Sequence, residues 1–327
     1  MLIDIPRIQD TARAALIAHG AGAAQAADVA RAVARAEALG NVICGLYYLE
    51  SYCSQLTSGR VNGTVVPQVT TPRPGSVLAD ARLGFAQPAF AAGLPVALEA
   101  ARANGTASLA VAHAHTCTSL GFFTEQVAEA GLICIGFTNA SPVVAPPGGN
   151  KAVIGTNPIA MSVPDGQGGL ALHFDFSTSA VALGKITMAK AAGTAIPPGW
   201  AVDAQGQPTT DPEAALKGAL VSAGGYKGWG FGLMAEILAA GMTGSVNSLD
   251  VGGLKLPDGP PHDLGQFYLL LDPATHGDHF PARLARVSEA VAAQEGARLP
   301  GSSRVAQEAV EVPDALWALC EGLAARG

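Results

Sequence analysis

Between Gly131 and Pro158 the chain reads GLICIGFTNASPVVAPPGGNKAVIGTNP, an apolar run followed by a polar turn, a proline-glycine loop and a second tight turn. Leu132 to Phe137 has the length and composition of a covered strand, and Thr138, Asn139 and Ser141 supply donors and acceptors where it ends. In Pro146-Pro147-Gly148-Gly149, proline sets φ and glycine permits positive φ, a pairing that can hold backbone N–H groups in a concave arrangement around a ligand. An ordinary strand–loop–strand connection fits the same residues.

The rest of the chain sets the frame for that segment. With 327 residues, 49% of them hydrophobic and only 14% charged, it is long enough for two domains around a large core. The formal charge of −7 and the scattered lysines and arginines offer no basic face, which excludes nucleic acid as a partner. No run of about eighteen apolar residues occurs, and MLIDIPRIQD lacks the order of a signal peptide, so no membrane contact and a cytoplasmic location are expected. Five cysteines without a CxxC spacing argue for reduced thiols and against a disulfide framework or a zinc ribbon.

Helical spacing is expected through residues 6 to 39, from Tyr47 to Leu56, from Pro88 to Ala103, and near both Val287 to Ala293 and Asp314 to Leu323. From Ser108 to Leu271, short apolar runs alternate with helical or glycine-rich segments. The pattern predicts a sheet with helices packed on it. His113 and His115 alternate at a strand end and would face one side, with Thr116, Cys117, Thr118 and Ser119 following as a run of small polar groups. Phe122, Phe123 and Val127 are expected in the core. His262, Asp263, His276, Asp278 and His279 lack metal-ligand spacing and are read as a solvated loop, so no metal site is expected.

Neither G-x-G-x-x-G after a strand nor a P-loop is present, and no G-x-S-x-G supports a serine nucleophile. Three small-residue clusters nevertheless carry a cation: Ser177 to Lys185, Gly224 to Gly228 with Lys227, and Arg298 to Arg304. Glycine lets backbone amides approach phosphate, while arginine clamps it and lysine supplies a point charge. Together these clusters suit a ligand with several phosphate groups.

Longer motifs point the same way: LADARLGFAQPAF at Leu78, TNASPVVAPPGG at Thr138, GTNPIA at Gly155, DFSTSAVALGK at Asp175, IPPGWAVDAQGQPTTDP at Ile196, GGYKGWGFGLMAEIL at Gly224 and RLPG at Arg298. With these the chain resembles the type-2 malate/L-lactate dehydrogenase family over nearly its whole length, closest in kind to its cyclic ketimine carboxylate reductases. The resemblance implies an α/β (α+β) protein. A non-Rossmann nicotinamide-binding domain on a largely antiparallel sheet would span 108–279, and a mixed, helical substrate and dimerisation domain would combine 1–107 with 280–327. It also implies NADPH or NADH as cofactor, a small carboxylate as substrate and a homodimer.

By the same resemblance, Asp175, Phe176 and Ser177 meet the cofactor at a strand end, Tyr226 and Lys227 lie in a glycine loop beside it, and Arg298 to Arg304 meets its phosphate end. His115, Thr116, Cys117, Thr118 and Leu120 occupy the family's cofactor loop, whose His-Phe-Gly is here Thr116-Cys117-Thr118. Thr156 is similar to a substrate contact. The chain departs from the family at its acid–base pair: where Ser-His-Gly and then an arginine are usual, it has Ile43-Cys44-Gly45 and then Tyr48, and Lys185 replaces an acidic relay residue. Cys44, Tyr48 and Lys185 are the remaining candidates for catalysis, with Tyr48 also a substrate contact. A cyclic imine that binds already protonated needs no acid during hydride transfer, whereas a ketone does. Ketimine reduction is therefore the expected activity, 2-oxo acid/2-hydroxy acid dehydrogenation the alternative, and a catalytically silent nucleotide-binding paralogue a second one.

Overall fold

The computed structural model describes residues 1–326. Strand β1 (Leu2–Asp4) leads into α1 (Ile5–Ala18), where Pro6 occupies the first turn and its missing N–H leaves no bond unmade. Helix α2 (Ala23–Ala38) is followed by short 3-10 turns at Val42–Cys44 and Leu46–Tyr48, and then α3 (Leu49–Thr57). The chain continues through β2 (Gln68–Arg73), β3 (Ser76–Asp80), α4 (Ala86–Asn104), β4 (Thr106–Ala114), α5 (Gly121–Glu129), β5 (Ile133–Thr138), β6 (Ile159–Pro164) and β7 (Leu170–Phe176). After α6 (Leu183–Ala191) come β8 (Ala201–Val202), β9 (Pro208–Thr209), α7 (Pro212–Lys217) and β10 (Ala219–Leu220). Helix α8 (Tyr226–Glu236) runs into a π-helical turn, and β11 (Leu264–Leu271), α9 (Phe280–Ala292), β12 (Ala309–Glu311) and α10 (Asp314–Ala324) complete the chain.

Seven strands form one mixed sheet in the order β2-β3-β4-β11-β5-β6-β7. Only β3 and β4 run parallel, joined by the α4 crossover, while the other neighbours pair antiparallel. The fold is thus α/β without the doubly wound parallel sheet of a Rossmann domain. Strand β11 enters late in sequence yet lies at the centre, which explains its nearly continuous burial. Phe90 of α4 and Phe123 of α5 pack with Tyr268 on one face, and Ala235 of α8 packs with Phe137 and Phe267 on the other. Phe122 and Val127 join the first of these clusters, as the helical reading of that segment requires.

A second core gathers α1, α2, α3 and α10 around Ile8, Leu16, Tyr52 and Trp317, and β1 pairs antiparallel with β12 so that the chain ends meet. Residues 68–104, grouped with the chain ends in the sequence reading, contribute β2, β3 and α4 to the large sheet and its cover. A small apolar cluster of Val144, Ile154, Ile186, Ala201 and Leu220 supports the three-stranded sheet β10-β8-β9. Among the described residues no helix is long and apolar enough to cross a membrane.

In the polar turn after β5, Thr138 and Asn139 are bonded within the chain. Thr138 Oγ1 donates to the Gly265 carbonyl at 2.9 Å, and Asn139 both accepts from Gly265 N–H at 3.2 Å and donates to the Val246 carbonyl at 2.9 Å. Buried strand ends must satisfy their polar groups, and here the neighbouring segment 246–265 does so. The Pro146 to Gly149 loop likewise closes on itself, with Gly149 N–H donating to the Pro146 carbonyl at 2.8 Å.

Gly265 also presses against the π-helical turn, where an added Cβ would overlap the Ala239 carbonyl. Gly265→Ala is expected to cost about 1–3 kcal/mol by overpacking. Gly322→Ala, at an open helical position on α10, is expected to add about 0.5–1 kcal/mol. Urea unfolding of the two variants beside the parent measures both; equal midpoints would show that Gly265 is not constrained.

Candidate active site

Glu37, at the end of α2, sets where Cys44 and Tyr48 stand. Its buried carboxylate accepts from Leu46 N–H at 2.7 Å and so anchors the turns between α2 and α3. Burial raises the Glu37 pKa above the ordinary carboxyl value, and the Leu46 bond opposes that rise. These turns present Cys44 half-buried, Tyr48 buried and Tyr47 exposed on one wall.

Gln55 of α3 joins that wall to two other segments. Its Nε2 donates to the carbonyls of Leu254 and Leu256 at 2.8 and 2.7 Å, and its Oε1 accepts from His115 Nε2 at 2.7 Å. An amide oxygen only accepts, so His115 carries its proton on Nε2 and leaves Nδ1 as a buried acceptor without a partner among the described residues. His262 stacks on His115 with ring centroids 4.0 Å apart, and its Nδ1 accepts from Thr116 N–H at 3.2 Å. The solvated reading of His262 is thereby corrected: the loop that carries it folds beneath α3 and buries the ring. Asp263 pairs with His113 at 2.7 Å, while His276, Asp278 and His279 are exposed. His113 and His115 do not share an environment either, because the pairing of β4 with β11 shifts register there and His113 has a φ of 51°.

The segment after β4 is mostly inward-facing. Cys117 and Leu120, expected at the cofactor, are core residues, and Thr116 is buried beside them. Thr118 Oγ1 donates to the Cys117 carbonyl at 2.6 Å and accepts from Tyr52 at 3.5 Å. Asp175, at the end of β7, turns its carboxylate to Gly121 N–H at 2.7 Å and to Ser119 Oγ at 3.3 Å. Burial raises its pKa, and those two bonds oppose the rise. Burial and the nearby Asp175 charge push the Cys44 thiol up to about 12, so it is protonated at neutral pH. Burial moves the Tyr48 phenol upward too, and its hydroxyl is already committed to the Leu254 carbonyl at 2.8 Å.

From Asp175 the backbone passes exposed Phe176 and half-buried Ser177 to Ser179, which bridges to Ser222 beside Gly224 and Gly225. Both glycines have positive φ and open space around them, and α8 begins at the next residue. Tyr226 and Lys227 therefore sit in the first turn of a helix rather than in a loop, and both are exposed. Ser222 Oγ is buried without a hydrogen-bond partner among the described residues. A helix N-terminus with bare glycine backbone, a free hydroxyl and an adjacent lysine fits the phosphates of a dinucleotide.

On the other side of Asp175, the Pro300 carbonyl accepts from His173 N–H at 3.0 Å and lays the RLPG segment along β7. Arg298 is exposed and bonded to Ser303 at 3.2 Å, whereas Arg304 is ion-paired with buried Glu125 at 3.0 Å. Glu125 also pairs with Arg35 at 3.0 Å, so a single carboxylate is shared between two guanidinium groups. The Thr156 carbonyl accepts from Thr178 N–H at 2.9 Å, next to Ser177. Lys185 is exposed on α6 and makes no side-chain hydrogen bond or ion pair among the described residues. The structure thus gathers Cys44, Tyr48, His115 and Asp175 and leaves Lys185 unconnected to them. Sequence reasoning missed Glu37, Gln55, Arg60 and Lys255. The only signal for Lys255 is a lone cation in the glycine- and proline-rich stretch GGLKLPDGPP.

Comparison with known proteins adds a lineage. The family model described as Malate/L-lactate dehydrogenase matches residues 3–318. The (2R)-3-sulfolactate dehydrogenase (NADP(+)) of Chromohalobacter salexigens is 39% identical over 321 residues, covering 96% of both chains. The Delta(1)-pyrroline-2-carboxylate reductase of Ancylobacter novellus is 37% identical, covering 99% of this chain and 98% of its own. Among solved structures, the delta1-piperideine-2-carboxylate reductase of Pseudomonas syringae pvar. tomato superposes with a TM-score of 0.92 at 32% identity over 99% of each chain.

The buried histidines give this arrangement a pH signature. Burial lowers His115 well below its ordinary value, His173 to about 4 and His262 to about 3. Each has a folded pKa below its unfolded value of about 6.5, so the unfolded chain takes up protons that the native state refuses. Stability from this source is complete above that value and falls as the pH drops towards the folded values. His262→Gln is expected to flatten the slope of unfolding free energy against pH by up to about 1.4 kcal/mol per pH unit below pH 6. Urea titrations between pH 7 and 5 measure it, and an unchanged slope would mean that His262 protonates alike in both states.

Proposed function

Because the chain belongs to the malate/L-lactate dehydrogenase family of NAD(P)-dependent oxidoreductases, we propose that it reduces a small cyclic ketimine carboxylate, Δ1-pyrroline-2-carboxylate or Δ1-piperideine-2-carboxylate, to L-proline or L-pipecolate. The observation that carries this reading is the proton chemistry of the Cys44–Tyr48 wall. Cys44 holds its proton up to about 12, and the Tyr48 hydroxyl is spent on the Leu254 carbonyl. Neither is matched to deliver a proton near neutral pH. A developing alkoxide requires that delivery; an iminium arrives with its proton already on nitrogen.

Asp175 and Ser119 keep the β7 end rigid, and Phe176, Ser177, the start of α8 with Tyr226 and Lys227, and the Arg298 to Arg304 segment would hold the dinucleotide. When bound, the reduced nicotinamide supplies the hydride. NADPH is favoured over NADH by exposed Lys227, which has no carboxylate partner among the described residues and suits a 2′-phosphate. Thr156 contributes a half-buried hydroxyl beside this strip. The exposed apolar residues Phe231, Leu233, Met234, Ile237 and Met242 on and beyond α8 support a homodimer.

Hydroxy-acid dehydrogenation is a second reading, supported by the 39% identity to a sulfolactate dehydrogenase. Following the absorbance of NADPH with five- and six-membered ketimine carboxylates, pyruvate, oxaloacetate and 3-sulfopyruvate separates the two. Turnover is expected with the ketimines and at least about tenfold lower kcat/KM with the oxo acids; the reverse order would refute ketimine reduction. NADPH binding without any turnover would favour the silent paralogue.

A further inference from the structure

We propose that Lys255 receives the carboxylate of the substrate, an assignment that rests on reading the chain as a reductase of small carboxylates. The loop that carries it is held through its backbone carbonyls by side chains from residues 48 to 60. Tyr48 and Gln55 both donate to the Leu254 carbonyl, each at 2.8 Å. Arg60 donates through Nη1 to the carbonyls of Gly253 and Leu256 at 3.0 and 2.6 Å, and through Nε to that of Pro260 at 2.9 Å. Ser58 Oγ donates to the Pro257 carbonyl at 2.7 Å. Residues on both sides of Lys255 are thereby fixed to the α3 end of the molecule, although the loop has no regular secondary structure.

The side chain continues the same design. Its Nζ lies 3.8 Å from the centroid of the Tyr47 ring and 5.3 Å from that of Tyr48. Aromatic faces hold an ammonium in place without neutralising it. Of the charges beside it, the Asp175 carboxylate is bonded to Gly121 and Ser119, and the buried Arg60 guanidinium to the loop carbonyls. Lys255 forms no ion pair among the described residues. It is the cation on the Cys44–Tyr48 wall that remains available to an incoming anion, and a compact ammonium on a flexible stem suits a single carboxylate. Desolvation lowers the Lys255 pKa from the ordinary lysine value, an effect that an arriving carboxylate reverses.

The test compares Lys255→Gln and Lys255→Arg with the parent, using steady-state kinetics on Δ1-pyrroline-2-carboxylate, on Δ1-pyrroline without the carboxylate, and on pyruvate, together with fluorescence titration of NADPH. For Lys255→Gln, KM for the carboxylate substrate is expected to rise about 10- to 100-fold, the range of a lost charge-assisted bond. The kcat, the NADPH Kd and the kinetics on Δ1-pyrroline should stay within about threefold, and Lys255→Arg should recover part of the loss. An unchanged KM for the carboxylate substrate, or a loss confined to NADPH binding, overturns the assignment. If only pyruvate is reduced and its KM rises in Lys255→Gln, the clamp stands while the ketimine reading falls. Should nothing be turned over, titration of the NADPH complex with pyrrole-2-carboxylate decides: tighter binding to the parent than to Lys255→Gln supports the clamp, and equal binding refutes it.

Discussion

The side-chain amide of Gln55 is the joint on which the candidate site depends. Its oxygen takes the proton of His115, and its nitrogen holds the carbonyls of Leu254 and Leu256, so one planar group ties α3 to the segment after β4 and to the loop before β11. The amide is completely buried, where an unmet hydrogen bond would cost about 1–3 kcal/mol. Three stretches far apart in sequence therefore have one mutual arrangement that satisfies it. Tyr48 donates to the Leu254 carbonyl as well, and Arg60 adds donors to the carbonyls of Gly253, Leu256 and Pro260.

This polar joint leaves a wall with little acid–base power and one available positive charge. Burial keeps His115 and His262 neutral and keeps the Cys44 thiol protonated, while the Asp175 carboxylate is turned inward to the start of α5. Such a surface binds and orients better than it shuttles protons. A substrate whose reacting atom already bears a proton asks little more of it. On the far side of β7, Glu125 gathers Arg35, Arg304 and His173, which makes the RLPG segment part of the scaffold.

Local pattern announced most of the regular elements. The apolar runs at Ile133 to Phe137, Ala160 to Val163, Ala171 to Phe176 and Phe267 to Leu271 became β5, β6, β7 and β11 because each is too short for a buried helix and is flanked by turn residues. The short β8, β9 and β10 escaped notice because two-residue strands carry no periodicity. His262 misled for a related reason. Its neighbours are proline, glycine and aspartate, and only the return of that loop beneath α3 places an apolar ring stack around it. Cys44, Tyr48 and Asp175 were legible as departures from, or matches to, long motifs, whereas Lys255 has no motif at all.

By itself the sequence determined the family, the alternation of strands and helices, and the loss of the usual serine–histidine pair, since these are written in contiguous residues and their spacing. Tertiary structure alone decided that β11 lies at the centre of the sheet, that His115 and His262 stack, and that Lys255 stands over Tyr47 and Tyr48. Those arrangements join residues about 130 to 210 positions apart, and pairings at that range are selected by burial and by the need to satisfy buried hydrogen bonds, neither of which leaves a local pattern to read.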